Sequence, residues 1–473
     1  MNEQKKGISK TGLIALVISS SLGSGIFGLT GDLAKQAAPG PAIFAWIIVS
    51  LGILMLVLSL NYLANKRPDL DGGMFSYAEE TFGRLGGFIS GWGYWLCSWL
   101  GNVAFATIIM SAIGHFFPIF DGGQNIPSIL FGSILIWTLT LLVSKGVESA
   151  SFVNIVITIC KLVPLFVFII IMIISFKVGV FTESFFGQLS ENLSTHSSLT
   201  VNVMLQIKNS IMILMWVFVG IEGASMLANR AQKRSDAQQA TIIGLIGLIC
   251  IYLFASILPY GVFTQDQLAQ IEQPAVAHMM KLIVGNWGAN LINIGLIVSI
   301  LGSWISWTML PAETTFLMAR DGLLPKKFSK LNKNNAPSYS LFFTAALTNS
   351  FLLTFLVTDY AYKLAYSLAT AAILICYLMV SIYQIQFAYA QGNKKQLTIG
   401  IIATLFQLIV ITLAGLSYVL MCSISYIPGF YFYYKARKEN GYTITSREKI
   451  AMTVISSIAL LAIFLLITGA IHF

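Results

Sequence analysis

Thirteen stretches of roughly twenty or more mostly apolar residues run through this chain, each long enough to cross a lipid bilayer as a helix. They lie near residues 11–36, 42–64, 86–116, 126–146, 152–177, 205–229, 240–263, 287–319, 340–358, 363–389, 397–416, 417–434 and 450–471. Between the eleventh and twelfth few polar residues intervene, so that boundary is the least marked. Charged residues make up 10% of the chain and hydrophobic ones 56%. A soluble domain carries about 25% charged residues. So few charges cannot clothe a water-facing surface, and lipid must replace water over most of the outside. The expectation is an all-α polytopic membrane protein with 12–13 spanning helices.

The distribution of charge orients these spans. The net charge of +9 would suggest nucleic acid in a soluble protein, but here position matters more than sum. With the amino terminus in the cytoplasm and sides alternating, the inner segments hold about 22 of the 28 Lys and Arg. Lys35, Lys177, Lys208, Lys281 and Lys363 fall at outer ends, and Lys161 lies inside the fifth span. Lys5, Lys6 and Lys10 precede a long apolar run with no Ala-x-Ala site behind it, which reads as a first spanning helix and not as a cleavable leader. Cys97, Cys160, Cys250, Cys376 and Cys422 sit in apolar segments without paired spacing, so free thiols are expected. The four histidines are scattered and show no metal-ligand spacing. Nothing calls for a cofactor. No Gly-x-x-x-x-Gly-Lys-Ser/Thr motif marks an ATP site, and no His-Glu-x-x-His or Ser/His/Asp set marks an enzyme.

No linker separates domains, so the chain reads as one transmembrane domain. Two spans are interrupted by small residues: the first at Ser19-Ser20-Ser21-Leu22-Gly23-Ser24-Gly25, the sixth at Gly220-Ile221-Glu222-Gly223-Ala224-Ser225. They are five spans apart and so run through the membrane in opposite directions. A pair of interrupted helices in corresponding places of two halves points to a transporter site. Irregular backbone at membrane depth persists only where it lines a cavity or is buried in protein. Unwinding between Ser20 and Gly25 would free N–H and C=O groups that, with the helix ends, can hold a carboxylate and an ammonium. The same glycines would also permit close helix packing.

Two charged side chains lie inside spans. Glu222 sits in the second interruption, where an acid is expensive and usually functional. Bridging helices, taking up a proton, sensing a cation and a purely structural bond to backbone all fit its position. Lys161 is about ten residues into the fifth span. A buried ammonium standing where other transporters hold sodium fits, and so does a stem that snorkels to the inner interface. Trp92, Tyr94, Trp95 and Trp99 cluster in the third span, Trp216 and Phe218 precede the second break, and Trp304 and Trp307 lie in the eighth. Packing explains most such rings, while cation–π cover of a ligand would explain a few.

Four motifs in order carry a resemblance: Gly23-Ser24-Gly25-Ile26-Phe27; Gly72-Gly73-x-x-x-Tyr77-Ala78 with Phe82-Gly83; Trp216-x-Phe218-x-Gly220-x-Glu222; and Asp321-Gly322-Leu323-Leu324-Pro325. Together they resemble the amino acid–polyamine–organocation superfamily, and within it the basic amino acid/polyamine antiporters of arginine/ornithine, arginine/agmatine or histidine/histamine type. The resemblance covers the first twelve helices. It implies a leucine-transporter-type fold with two inverted five-helix repeats, here 11–177 and 205–389, plus extra C-terminal helices over 397–471. It also implies a substrate site built from helices 1, 3, 6, 8 and 10. Ser21, Ser24 and Gly25 would meet the α-carboxylate, with Ser20 also in the site, and backbone near Gly220 would meet the α-ammonium. Asn102 and Phe105 would approach the side chain, Trp216 would close over it beside Val217, and Trp307 would line the floor. Tyr94 resembles an inner gate. Val217 stands where arginine/agmatine exchangers carry Ser and cannot accept from a guanidinium, which weighs against that specificity. Lys161 resembles the lysine of proton-linked members.

The expected function is exchange of an external, basic amino acid for its metabolic product, ornithine or a decarboxylated amine, by alternating access in the cell membrane. The expected partners are amino-acid and amine substrates and membrane lipid, without nucleic acid, and a homodimer is compatible with this reading. A proton-coupled importer of the same fold is the alternative, and a channel or passive binding protein represents a different class.

Overall fold

The computed structural model describes residues 10–23, 25–70, 72–145, 151–187, 199–222, 234–356 and 361–469. All regular structure in these residues is helical. In chain order the α-helices are α1 (Lys10–Ser21), α2 (Gly25–Ala34), α3 (Pro39–Lys66), α4 (Met74–Gly114), α5 (Ile126–Ser144), α6 (Ser151–Ser175), α7 (Val178–Glu183), α8 (Leu199–Val217) and α9 (Arg234–Ile257). There follow α10 (Gln265–Ala269), α11 (Ala275–Val284), α12 (Asn286–Arg320), α13 (Ser338–Leu352), α14 (Ala361–Ala390), α15 (Lys394–Val410), α16 (Leu416–Glu439) and α17 (Ser446–Ile467).

Local chemistry sets many of these ends. Pro39 opens α3 at the position where a missing N–H costs nothing. Thr264 and Thr445 form capping boxes with Gln267 and Glu448 at the starts of α10 and α17. Gly83, at φ 70°, breaks the helical path of α4, so the turns from Met74 to Phe82 stand apart from the span that the sequence begins at 86. At the weakly marked boundary between the eleventh and twelfth sequence segments the backbone stays helical, wound as a π-helix over Ile411–Gly415. The short α11 was not expected from the sequence, because its ten residues are too few to register as a span.

Among the described residues nine helices are long and apolar enough to cross a membrane, and the chain is a multi-pass membrane protein. Four of the thirteen sequence segments are missing from those nine, for visible reasons. The first is split into α1 and α2, and the sixth ends as α8 at Val217. The fifth registers as a shorter apolar stretch, Ile159–Ser175. The twelfth, α16, is diluted along its length by Ser417, Tyr418, Ser423, Ser425, Tyr426 and Pro428. Large apolar side chains such as Leu130, Ile134, Ile170, Ile174, Leu461 and Phe464 stand exposed, as a lipid-facing surface requires.

Two compact units emerge from the packing. The first comprises Met1–Val57, Thr107–Ser128 and Ala150–Ser303; the second comprises Leu58–Ala106, Ile129–Ser149 and Trp304–Phe473. In the first, α1 packs on α6 and α9, and α2 packs on α8, α9, α10 and α11. A Cβ added to Gly295 would lie 2.3 Å from Pro164 Cγ, and one on Gly302 would lie 2.3 Å from Ile157 Cγ2. Glycine is what lets α12 press against α6 there. In the second unit α14 packs on α15 and α16, and α16 on α17.

Within each unit, loops that the positive-inside expectation puts on one side bond one another. In the first unit, segments assigned outside bond one another: Gly40 N to Phe185 O (2.8 Å), Lys177 N to Gly261 O (2.8 Å), Tyr260 Oη to Ala37 O (2.8 Å) and Ser111 Oγ to Gln273 O (3.1 Å). In the second, segments assigned inside do the same: Arg84 Nη1 donates to Asp321 O (2.6 Å), Lys326 N to Glu439 Oε2 (2.8 Å) and Asn332 Nδ2 to Ser144 O (2.8 Å).

Candidate substrate site

Within the first unit the two interruptions lie against each other. Helix α1 stops at Ser21 and α2 starts at Gly25, leaving Leu22 and Gly23 outside helical structure; Ser24 is outside the described residues. A helix that ends in mid-span leaves carbonyls without partners. Here two of them are taken by side chains: Tyr252 Oη donates to Ser21 O (2.8 Å) and Ser303 Oγ to Leu22 O (3.3 Å). Lys161, fully buried, donates from Nζ to Ser303 Oγ at 2.6 Å. The ammonium is thus held inside the unit, near the negative end of α1, and is not carried out along the surface. The Lys161 side chain therefore does not snorkel to the inner interface.

The second interruption begins where α8 ends at Val217. Phe218 N bonds Met215 O, Val219 N bonds Trp216 O and Ile221 N bonds Phe218 O, so the chain tightens into turns instead of continuing the helix. Gly220 sits at φ 106°, a conformation that side chains rarely allow. Its N–H donates to Glu222 Oε2 at 3.1 Å, and Glu222 is fully buried. Phe218 anchors the turn, edge-on to Trp46 (5.9 Å) and Tyr252 (5.6 Å), while Trp46 Nε1 donates to Ser256 Oγ (3.0 Å). Residues 223–233, the rest of the sixth sequence segment, lie outside the described residues.

Gly25 brings the two breaks together. A Cβ on it would lie 3.0 Å from Val217 Cγ1 and 3.2 Å from Trp216 Nε1. Trp216 is half-buried and Val217 buried. Ser21 is 5% exposed, and its Oγ has no hydrogen-bond partner among the described residues. Ser20 belongs to α1, but its side chain is outside the description. The positive end of α2, an uncommitted buried hydroxyl and an indole therefore converge, a combination suited to the carboxylate and ammonium of an amino acid.

In the second unit Tyr94 and Asn102 both meet Trp307, and Phe105 is buried on the same helix, α4, as Tyr94 and Asn102. Asn102 Nδ2 donates to Trp307 O (3.1 Å), while its Oδ1 has no partner among the described residues. The rings of Tyr94 and Trp307 lie 6.4 Å apart and tilted by 36°. All four residues are at most 5% exposed. Sequence reasoning missed Trp46, Tyr252 and Ser303. Tyr252 and Ser303 supply the side chains that make the first break tolerable, but nothing in the local sequence marks them. Among the described residues no cluster of His, Cys, Asp and Glu could hold a metal.

The chain matches the Amino acid permease family over residues 8–429. It belongs to that family. Relatives match it from end to end. It is 55% identical to the arginine/ornithine antiporter of Latilactobacillus sakei, with all of both chains covered. It is 37% identical to the arginine/ornithine antiporter of Pseudomonas aeruginosa, over 97% of this chain and 96% of that one. It is 36% identical to the arginine/agmatine antiporter of Chlamydia felis, over 100% and 99%. The resemblance drawn from the four motifs is therefore correct at the level of the superfamily. The described residues build an all-helical permease fold, and the chain is a transport protein.

Proposed function

We propose that this permease exchanges external arginine for internal ornithine by alternating access in the cell membrane, with its amino terminus cytoplasmic. The meeting of the two helix breaks at Gly25, Trp216 and Val217, beside the uncommitted hydroxyl of Ser21, carries this reading. Ser21, Gly25 and, by sequence, Ser20 and Ser24 take the α-carboxylate. Backbone at Gly220 takes the α-ammonium, and Trp216 covers the ligand. The family resemblance alone gives Asn102, Phe105, Trp307 and Tyr94, all in the second unit, a role in transport.

The chain is 55% identical to one arginine/ornithine exchanger against 36% to an arginine/agmatine exchanger, which favours ornithine over agmatine as the counter-substrate. The two products differ in charge. Arginine and ornithine each carry about one net positive charge at neutral pH, and agmatine about two. Arginine–ornithine exchange is therefore electroneutral, whereas arginine–agmatine exchange moves a charge worth about 2.3 kcal/mol per 100 mV.

Counterflow in proteoliposomes tests this. Vesicles loaded with ornithine are expected to take up labelled arginine at a rate that an imposed potential leaves unchanged. Uptake that needs internal agmatine and follows the potential would refute the assignment. A second reading, proton-coupled import, is favoured by the chain from Lys161 through Ser303 to Leu22 O. Entry into empty vesicles driven by a proton gradient, and lost in Lys161→Ala, would establish it. A Lys161→Ala protein that exchanges at the wild-type rate across pH would remove it.

A further inference from the structure

The outer ends of α4, α11 and α12 enclose a cavity of 530 Å³, within the size range of small-molecule sites. It lies wholly in the first unit. Asp121 and Glu272 contribute carboxylates, Lys281 an ammonium, and His115 and His278 imidazoles. Glu272 Oε2 lies 3.3 Å from His278 Nε2, Asp121 Oδ1 accepts from Gly122 N at 2.9 Å, and His115 Nε2 contacts Asn290 Oδ1 at 2.8 Å. Asn293 also lines the cavity and is only 1% exposed. Its Nδ2 is committed to Ala289 O (3.0 Å), but its Oδ1 has no partner among the described residues. A buried acceptor without a donor is costly, and a ligand donor would satisfy it.

We infer that this cavity is a second, outer binding site for a basic amino acid, occupied before the ligand reaches the helix breaks. The inference rests on the reading of the chain as an exchanger of such ligands. A basic amino acid presents two cationic groups and one carboxylate; the cavity wall presents two carboxylates and one ammonium, the complementary set. The Oδ1 of Asn293 adds a neutral acceptor for an N–H of the ligand. Gln273, another wall residue, donates from Nε2 to Gly28 O (3.3 Å) and Asp32 Oδ1 (3.4 Å) on α2. Gly28 leaves no slack at that contact, since a Cβ there would lie 2.7 Å from Gln273 Oε1. The wall of the outer site thus grips the same helix whose first residue, Gly25, faces Trp216.

The test measures entry of labelled arginine into intact cells that express the full chain, against external concentration, at low and high salt. Glu272→Gln, Asp121→Asn and the uncharged exchange Asn293→Leu are compared with wild type at matched surface abundance. Each is expected to raise the external KM about fivefold or more, with maximal exchange and the KM for internal ornithine unchanged. Unchanged external KM in all three overturns the inference. So does a carboxylate effect that vanishes at high salt while Asn293→Leu is silent, because that is the signature of a field and not of a site. If Asn293→Leu fails to reach the surface, persistence of the carboxylate effect at high salt decides. A wild-type chain that exchanges no basic amino acid fails the functional reading itself, a result distinct from both, and the inference falls with it.

Discussion

The helix breaks of the first unit and the inner loops of the second both gather polar groups, buried at the breaks and partly exposed at the loops, and they treat those groups differently. At the inner loops the charges are closely paired. Arg67 donates to Asp69 (2.7 Å) and Glu80 (3.1 Å) and to the hydroxyl of Tyr383, whose ring stacks on Tyr77 at 5.7 Å. At the breaks, backbone is unwound, Gly220 takes a conformation that excludes side chains, and the hydroxyl of Ser21 is buried without a partner among the described residues. A network closed on itself stabilises; one left open inside the protein is waiting for a donor or acceptor from a ligand. On this contrast, substitutions at the breaks should cost transport more than folding, and substitutions at the inner loops the reverse.

Gly220→Ala should give the largest effect. A side chain in that backbone region costs roughly 1–2 kcal/mol, and the strain falls on the turn that aims the Gly220 N–H. Exchange is expected to fall well over tenfold while surface abundance stays within about twofold of wild type. If abundance and exchange fall together, the glycine serves folding alone and the contrast is broken. Trp216→Leu comes next. Its indole is partly exposed beside Gly25, and Leu keeps an apolar side chain there. Exchange should drop about tenfold, equivalent to about 1.4 kcal/mol, with thermal stability nearly unchanged. A normal exchange rate would remove Trp216 from the site.

The legibility of the sequence follows the same division. Both breaks could be read directly, because glycine and serine clusters inside apolar runs leave a local mark, and so could Glu222 and Lys161 as charges at span depth. What Lys161 meets could not be read. Ser303 lies 142 residues away, and the pairing depends on the close approach of α6 and α12 at Gly295 and Gly302, a property of two helices at once. Phe218 with Trp46 and Tyr252 escaped for the same reason, since aromatic residues in an aromatic-rich chain show no preference for one partner over another. The motifs located the first part of the outer cavity no better. Its walls come from separate loops, and α11 is too short for an apolar-run criterion.

Val217→Ser sharpens the comparison at the level of specificity. The side chain is buried beside Gly25, and the exchange puts a hydroxyl where one methyl group stood and removes the other. Agmatine should gain as a counter-substrate relative to ornithine by about threefold to tenfold, about 0.7–1.4 kcal/mol, with potential dependence appearing in step. An unchanged preference would mean that position 217 does not read the distal end of the substrate.

The smallest effect belongs to Asp69→Asn. The Arg67 guanidinium beside Asp69 holds its carboxyl below the usual carboxylate range, and the same pairing raises Arg67. A carboxyl depressed in the folded state adds stability that is present above its unfolded pKa, about 3.9, and is lost as pH falls through the folded value. Asp69 is 58% exposed, so solvent screening keeps the contribution small. At neutral pH Asp69→Asn should lower Tm by no more than about 1–2 °C, and the difference from wild type should begin to shrink near about pH 4 and close only below the depressed folded value. Exchange at neutral pH should be unaffected. A Tm difference that persists in acid would show that the pair does not act through its charge, and a loss of exchange without loss of stability would place the inner loop in the transport cycle and dissolve the contrast between the two regions.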